Sequence, residues 1–523
     1  MINKLVTVYK FFDKKVKKQL IYSQLIILLT SFVEILSIFS IGPLVQILNN
    51  PNSIYEKDQF VSKVYDYFNF TSFESFVICV VIVIFFLFLI SAITVSFNLY
   101  LMTIFAQNLG NDLRSNLYKF YLSQTWLYHS KASTSDLINK LIAETGRITN
   151  NVIFNILNTN SKLVTGFFII LFLTIYNIKV SFIAISVLGT MYLIIFSFVK
   201  SSIEKYGENQ SKYLSRVYRI MNESFLGIKE TIIYGKQKKY FEDFSITGKK
   251  WGHSIAKIQF FTLAPRNLLE FFAFSIVLFF IIVMIYNKQA NFSDTLPAIS
   301  IYIFAGYKLL PIFQSIYQGI AQLKGNIFAV DKIKFELNES KKYFFNFENN
   351  KKNEFNLEDD EIFKINDVSF SYKDTDKAIN NINLGIKKNT LNFIVGPSGA
   401  GKSTLLDLIL GLIFPKIGSV QVGLDKLTYE NCKFWHQNLG YVGQNIFLID
   451  DTIKRNICLN DSDQEINEEK FKKAINLSYV DKFLSDTPNG IETVVGERGL
   501  KLSGGQRQRI AIARALYQDK KFL

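Results

Sequence analysis

Cysteine, histidine and charge are all scarce in this chain of 523 residues. Its three cysteines, Cys79, Cys432 and Cys458, are widely separated and odd in number, which excludes a disulfide framework and a CxxC metal site. The three histidines, His129, His253 and His436, are equally scattered. No spacing supports a structural zinc site, and neither a haem site nor a Cys–His nucleophile has a motif behind it. Charged residues make up only 20% against 49% hydrophobic, with 50 Phe, which excludes a disordered, collagen-like or highly charged soluble protein. Such a composition requires either a very large core or a lipid solvent.

The distribution of charge decides for lipid. Between Ser75 and Asn111 lie 37 residues without one Asp, Glu, Lys or Arg, where about 20 cross a bilayer. From Gln19 to Tyr55 the only charge is Glu34, and this stretch is too long, and lacks the small-residue cleavage site, for a signal peptide. Further apolar stretches give six expected spans, at about 20–48, 75–100, 158–178, 180–199, 268–287 and 295–323, with a turn at 177–179 joining the third and fourth.

Lys and Arg set the orientation. Residues 1–20, 101–161 and 200–258 hold six, five and twelve of them, against two in 49–73 and one each at Lys179 and Lys288. By the positive-inside rule the first set is cytoplasmic, and so are both termini. The same three segments carry net charges of +5, +2 and +6, most of the chain's +15. The basic balance is thus a topology signal and an attraction to anionic lipid headgroups, and no nucleic-acid partner is expected. The two long cytoplasmic segments have helical patterning and little Gly or Pro, so their helices are expected to run well beyond the membrane. Each then turns at its far end, within YLSQTWLYHSKASTSDLINKL and GIKETIIYGKQKKYFEDF. These turns are either solvated amphipathic helices or short helices that press on a cytoplasmic partner.

Residues 336–360 are rich in Asn, Lys and Glu without apolar periodicity and read as a linker. Beyond it come β-rich runs, FKINDVSFSY, INNINLGI and LNFIV, the last leading into Gly396-Pro-Ser-Gly-Ala-Gly-Lys-Ser-Thr404 and the helical pattern LLDLILGLI. This is G-x-x-x-x-G-K-[ST] between strand and helix. Gly396, Pro397, Ser398, Gly399, Ala400 and Gly401 let backbone N–H groups close round a β-phosphate, with Thr404 ending the motif. Lys402 reaches the β- and γ-phosphates and the Ser403 hydroxyl coordinates Mg²⁺. A later string, Leu502-Ser-Gly-Gly-Gln506 before RQRIAIARAL, places Ser503 at a helix N-cap, with Gly504 and Gly505 open to an anion.

With this second string the sequence resembles the ABC transporter family, whose signature motif it is. The resemblance implies further roles: Tyr372 stacks on adenine, and Gln444 is the Q-loop glutamine that touches Mg²⁺ and the γ-phosphate and couples to the membrane domain. Lys402 and Gln444 are then the catalytic residues present, and Gln506 belongs to the signature that binds nucleotide. Gly443 stands where the family has proline, which loosens that turn without removing the ligand. Gly496-Glu-Arg-Gly499 resembles the short exporter motif that contacts the cytoplasmic helices. The implied architecture is an exporter-type half-transporter: a membrane all-α domain (1–335), the linker, and an α/β P-loop NTPase domain (361–523), with the two turn segments as coupling helices. In the family, ATP lies between the phosphate loop of one subunit and the signature of another. A homodimer, or a pair with a related half-transporter, in the bacterial cytoplasmic membrane is implied.

Four charges in or beside the apolar segments stand out: Glu34, Arg266, Glu270 and Lys308. Such charges mark functional sites by default. Arg266 and Glu270 are four apart and either pair with each other or leave Arg266 to form, with Lys308, a cationic cavity suited to a phosphate head group. Lys308 stands three residues before Pro311, a kinking position. SFVEILSIFSIGPL, APRNLLE and YKLLP are similar to strings of bacterial flippases for lipid-linked oligosaccharides, which implies an undecaprenyl-pyrophosphate glycan as cargo. Exporters of lipids, drugs or peptides share the scaffold, and a nucleotide-binding regulatory subunit is a third class. Hydrolysis in the family needs a strand ending in Asp-Glu and a later His. The sequence stops at Lys520-Lys-Phe-Leu523, so the domain reads as incomplete at its C-terminus and hydrolysis-deficient as it stands. The phosphate-loop strand is then expected to lack a neighbour and expose an apolar flank.

Overall fold

The computed structural model describes residues 14–49, 60–68, 70, 72–176, 178–286, 292–340, 355, 360–372, 378–459 and 465–523. The chain forms two compact units, one of residues 1–124 with 132–345, the other of 125–131 with 346–523.

The first unit is helical throughout. Its elements are α1 (Lys14–Phe39), α2 (Ile41–Asn49), α3 (Phe60–Tyr67) and α4 (Phe73–Leu122). α4 begins where Ser72 accepts a hydrogen bond from the Ser75 N–H and Glu74 sits in the first turn, and it ends with Lys119 in the last turn. Its 50 residues extend about 75 Å, far more than a bilayer needs. The expected continuation of helices beyond their apolar segments is therefore present. It recurs in α8 (Ile178–Leu226) and α12 (Phe292–Ser340), between which lie α9 (Ile228–Ile233), α10 (Gln237–Leu263) and α11 (Pro265–Tyr286). Before α8 come α5 (Trp126–Lys131), α6 (Thr134–Asn139) and α7 (Phe154–Tyr176).

Among the described residues, Lys18–Val45, Phe73–Leu122 and Thr134–Ile175 are long and apolar enough to cross a membrane. The stretches expected at 180–199, 268–287 and 295–323 lie on α8, α11 and α12, with residues 177 and 287 outside the described set. α12 passes Pro311 without interruption and runs through Ser340, past the expected start of the linker at 336. The reason is a tertiary contact. Leu337 is buried and Glu336, also buried, takes the Lys140 ammonium at 2.7 Å. Burial alone would lower the Lys140 pKa, but Glu336 and Asp136 outweigh it and hold it above its ordinary value.

Apolar packing joins α1, α7 and α12 through Ile35, Ile38, Ile169, Leu173, Leu309 and Ile312. Where α8 crosses α12, a Cβ on Gly207 would lie 2.1 Å from the Gly325 carbonyl oxygen. Only glycine fits that crossing. Gly207→Ala should force the helices apart at a cost of about 1–3 kcal/mol, read as a lowered thermal unfolding midpoint in detergent; an unchanged midpoint would show the crossing to be loose.

The second unit holds a four-stranded antiparallel sheet, order β2-β1-β3-β4, of β1 (Glu361–Phe370), β2 (Ile379–Lys387), β3 (Ile417–Val422) and β4 (Asp425–Lys426). Its helices are α13 (Lys402–Ile409), α14 (Cys432–His436), α15 (Ile453–Ile457), α16 (Glu468–Leu477), α17 (Asp481–Leu484) and α18 (Gly504–Tyr517). One core contains Phe363, Val368, Leu408, Val422 and Trp435, with Phe363 stacked on Trp435. A second contains Leu448, Ile453, Phe471, Val495 and Ile510.

The strand read before the phosphate loop does not form, while the missing neighbour and exposed apolar flank expected there are present. Residues 391–395, read as the strand that feeds the phosphate loop, have no strand pairing, and Leu391, Phe393 and Val395 are 81%, 78% and 89% exposed. A buried parallel strand needs hydrogen-bonded neighbours. Parallel pairing among the described residues is confined to a bridge between Leu439 and Phe522.

Candidate functional site

The phosphate loop is built by two glycines in left-handed backbone, Gly399 at φ +84° and Gly401 at φ +85°. A Cβ on Gly401 would sit 2.5 Å from the Ala378 carbonyl oxygen, so that position accepts only glycine, whereas a Cβ on Gly399 meets nothing within 4 Å. Gly401 is the N-cap of α13 and offers no side-chain cap. The first N–H groups of α13 are thus left for an external anion. Residues 396–400 and Ser403 are exposed, while Thr404 is buried. Lys402 curls back over the loop, and its ammonium donates to the carbonyls of Gly396 and Pro397 at 2.8 and 2.7 Å. A loop of this shape, with a cation at its mouth and an exposed hydroxyl beside it, fits a polyphosphate with a divalent cation.

Tyr372 follows β1 and meets this loop from the side. Its hydroxyl lies 3.4 Å from Thr404 Oγ1, and its ring packs edge-on against Phe370 at 5.1 Å. The ring is 43% exposed, which leaves a face for a planar base. His436 is engaged elsewhere, with Nε2 2.7 Å from the Leu410 carbonyl at the end of α13.

Ser503 is the N-cap of α18, as its sequence position implies. It forms a capping box: Gln506 N–H donates to Ser503 Oγ at 3.2 Å, and Ser503 N–H donates to Gln506 Oε1 at 2.8 Å. Gln506 therefore works first on its own helix. A Cβ on Gly504 or Gly505 would meet nothing within 4 Å, so the start of α18 faces open space.

Gln444 is exposed on a bend. At Gly443 a Cβ would come within 3.0–3.3 Å of the Tyr441 ring, so the aromatic fills the room a proline ring would need. Downstream of Gln444 the chain is tied to the signature helix by two residues without a sequence signal. Arg514 of α18 donates to the carbonyls of Phe447 and Asn456 at 2.9 and 2.7 Å and to Asn456 Oδ1 at 3.1 Å. Burial lowers the Arg514 pKa, though guanidinium stays charged at any physiological pH. The fully buried Asn456 amide also bonds Ile449 N–H and C=O, at 3.0 Å each. The segment Gly496–Gly499 joins this cluster: a Cβ on Gly499 would lie 2.7 Å from Leu448.

The second unit also includes α5, from the first of the two expected turn segments. Leu127 packs on the core of Phe363 and Leu408. Burial raises the Asp407 pKa on α13, and a hydrogen bond from the Trp126 side chain partly offsets it. A helix outside the domain's own sequence is thereby fastened to the helix that starts at the phosphate loop.

Of the charges in apolar segments, Lys308 pairs with Glu34 at 3.3 Å, and Arg266 with Glu270 at 2.6 Å. Each cation expected in a cavity is thus matched by an acid. Sequence reasoning missed a larger network. Arg147, between π-helical turns at Lys140–Glu144 and Ile148–Ile153, donates to Glu144 at 3.0 Å, Asn326 at 3.1 Å, Gln210 at 3.2 Å, the Gly325 carbonyl at 3.4 Å, and Ser211. Burial lowers its pKa and Glu144 opposes that shift.

The ABC transporter family model matches residues 379–523, and the ABC transporter transmembrane region model matches 20–316. An ABC transporter ATP-binding protein of Sinorhizobium fredii is 40% identical over 163 residues, 31% of this chain and 27% of its own length. An ATP-dependent lipid A-core flippase of Saccharophagus degradans is 26% identical over 449 residues, 83% of this chain and 72% of its own. The ATP-dependent permease MDL1 of Candida albicans is 27% identical over 446 residues, 83% of this chain and 64% of its own. The chain thus spans less than two thirds of the first and third of these relatives. The structure of a bacterial Atm1-family ABC exporter with ATP bound shares the fold, with TM-score 0.73 at 16% identity, covering 97% of this chain and 85% of that one. With a transmembrane-region match over more than half its length, fused to an ATP-binding match, the chain belongs to the ABC transporter family and has the architecture of a half-transporter.

Proposed function

We propose that the protein is an ATP-driven exporter or flippase of the cytoplasmic membrane, working as a homodimer on an amphipathic, anionic lipid-linked glycan. The observation that carries this is one phosphate loop and one open signature helix in a chain that also carries a helical membrane region. In this reading Tyr372 stacks on adenine, Lys402 and the N–H groups at the start of α13 hold the phosphates, and Ser403 and Gln444 hold Mg²⁺. The metal ion supplies charge neutralisation between the phosphates. Ser503, Gly504 and Gly505 of the second copy close over the nucleotide.

Coupling follows from what binds where. Gln444 leads into the segment that Arg514 and Asn456 fasten to α18, so nucleotide contact at Gln444 is conveyed to the signature helix and to Gly496–Gly499. α9, from the second turn segment, exposes Ile228, Ile232 and Ile233, and Tyr234 just after it is exposed as well. An apolar surface of that kind on a charged helix pair suits a partner subunit. Two relatives that cover most of this chain are named ATP-dependent lipid A-core flippases, which supports a lipidic, anionic cargo. A second reading, a less anionic amphipathic cargo on the same scaffold, is favoured by the pairing of Lys308 with Glu34 and of Arg266 with Glu270. The test is ATP hydrolysis in proteoliposomes by a form of the protein that carries the Asp-Glu strand and the later His that hydrolysis requires. Stimulation by a polyprenyl-pyrophosphate glycan, lost in Lys402→Ala, supports the first reading. Stimulation by an uncharged amphiphile alone supports the second, and nucleotide binding with no hydrolysis under any lipid would contradict both.

A further inference from the structure

Between the long helices α8 and α10, lined by none of the residues of the phosphate loop and by neither Lys308 nor Arg266, opens a cleft of about 360 Å³. One wall is Tyr206, Asn209 and Tyr213 of α8, and the other is Lys249, Lys250 and His253 of α10, with Ser254 at the base. The two walls are held in register, since the Tyr206 and His253 rings meet edge to face at 6.0 Å. Ser254 is buried and gives its hydroxyl to the Lys250 carbonyl at 2.9 Å. It therefore forms the floor and is not a free donor.

The composition of this cleft is unbalanced. It gathers two ammonium groups, two phenols, an imidazole and a carboxamide, and no carboxylate lines it. Neither Lys249 nor Lys250 has an ion-pair partner among the described residues, whereas Lys140, Lys308 and Lys324 of the same unit each have one. Glu204, on the same helix as Tyr206, is already taken by Lys324 at 2.8 Å. Two cations without anions, set side by side at the end of an aromatic slot, suit a ligand group with several acceptor oxygens and concentrated negative charge. A phosphate has both properties, and a neutral drug lacks the charge.

We propose that this cleft between α8 and α10 binds a phosphate-bearing ligand, as a site separate from the nucleotide site. The phosphate has two possible sources. Tyr206 stands six residues beyond Lys200, where the apolar part of α8 ends, about 9 Å along the axis. A lipid headgroup is then within reach of the upper end, and a soluble phosphate compound can enter the lower one.

The experiment uses the whole protein in dodecyl maltoside, carrying Lys402→Ala to silence the phosphate loop. It is titrated by microscale thermophoresis with inorganic pyrophosphate, and separately with mixed micelles of dioleoylphosphatidylglycerol, with dioleoylphosphatidylcholine as the zwitterionic control. The expected result is saturable binding of at least one anionic probe, weakened about tenfold or more by Lys249→Gln with Lys250→Gln. The paired change Lys238→Gln with Lys239→Gln removes equal charge from α10 outside the cleft and should alter affinity less than about twofold. Loss confined to phosphatidylglycerol identifies a lipid headgroup, and loss confined to pyrophosphate identifies a soluble ligand. Absence of saturable binding, or equal weakening by both paired variants, overturns the proposal. All four lysines are exposed, so the variants are expected to unfold at the parent's midpoint.

Discussion

Replacing Lys402 by alanine is expected to lower ATP affinity about a hundredfold, the equivalent of one or two charge-assisted hydrogen bonds. The ammonium sits at the mouth of a loop whose glycines are fixed in left-handed backbone, held there by the Gly396 and Pro397 carbonyls. No other cation in the phosphate-loop motif can substitute for it, since Gly396–Thr404 contains only this one. Lys402→Arg should restore little, because a planar guanidinium does not occupy the place of a compact ammonium. Titration with a fluorescent ATP analogue measures the loss, with thermal unfolding as the check that the fold survives. Retention of affinity within about threefold would mean that ATP binds elsewhere.

The second large effect is expected far from the nucleotide. Arg147→Ala leaves Glu144, which has no exposed surface, without its cation. It also strips a partner from Asn326 and Gln210. Breaking a buried ion pair on one side costs about 3–5 kcal/mol, and the unfolding midpoint in detergent should fall by about 5 °C or more. The paired change Glu144→Gln with Arg147→Met removes both charges and should recover most of that fall. A single variant that melts at the parent's midpoint would show that water reaches the pair. The network joins α8 and α12 to the π-helical region before α7, so the lost stability should appear in the helical unit and leave nucleotide affinity unchanged.

Legibility in the sequence depended on how local each feature is. The Gly396–Thr404 loop and the Ser503 cap are read from contiguous residues because their backbone is set by their neighbours, and Ser503 is the N-cap the sequence implies. The long helices were equally legible, since charge-free runs followed by helical patterning continue through α4 and α8. Residues 391–395 form no paired strand, because a strand is defined by partners that a local apolar run does not supply, but their exposed apolar side chains match the expectation of a flank without a neighbour. The end of α12 was misplaced for the opposite reason: Glu336 looked like part of a polar linker until Lys140, remote in sequence, supplied its counter-ion. Glu144 is an i,i+3 partner of Arg147 that spacing could have suggested, but its other partners come from near residues 210 and 325, which no spacing rule assembles. Lys308 and Glu34 were both singled out, but their pairing across the helical unit was not foreseen, and it replaces an open cationic pair by a neutralised one.

The most direct measurement of the central claim is movement of a lipid. Protein carrying the Asp-Glu strand and the later His that hydrolysis requires is reconstituted into vesicles with the nucleotide-binding side outward, together with a fluorescent polyprenyl-pyrophosphate glycan whose outer-leaflet fraction is quenched by a membrane-impermeant reductant. With ATP and Mg²⁺ the protected fraction should rise with time, and it should stay at the protein-free level with Lys402→Ala or without nucleotide. A protected fraction that does not respond to ATP, while the same preparation binds ATP through Lys402, would contradict transport of this class of lipid. The same assay, with a neutral amphiphile in place of the glycan, then decides between the two cargo readings.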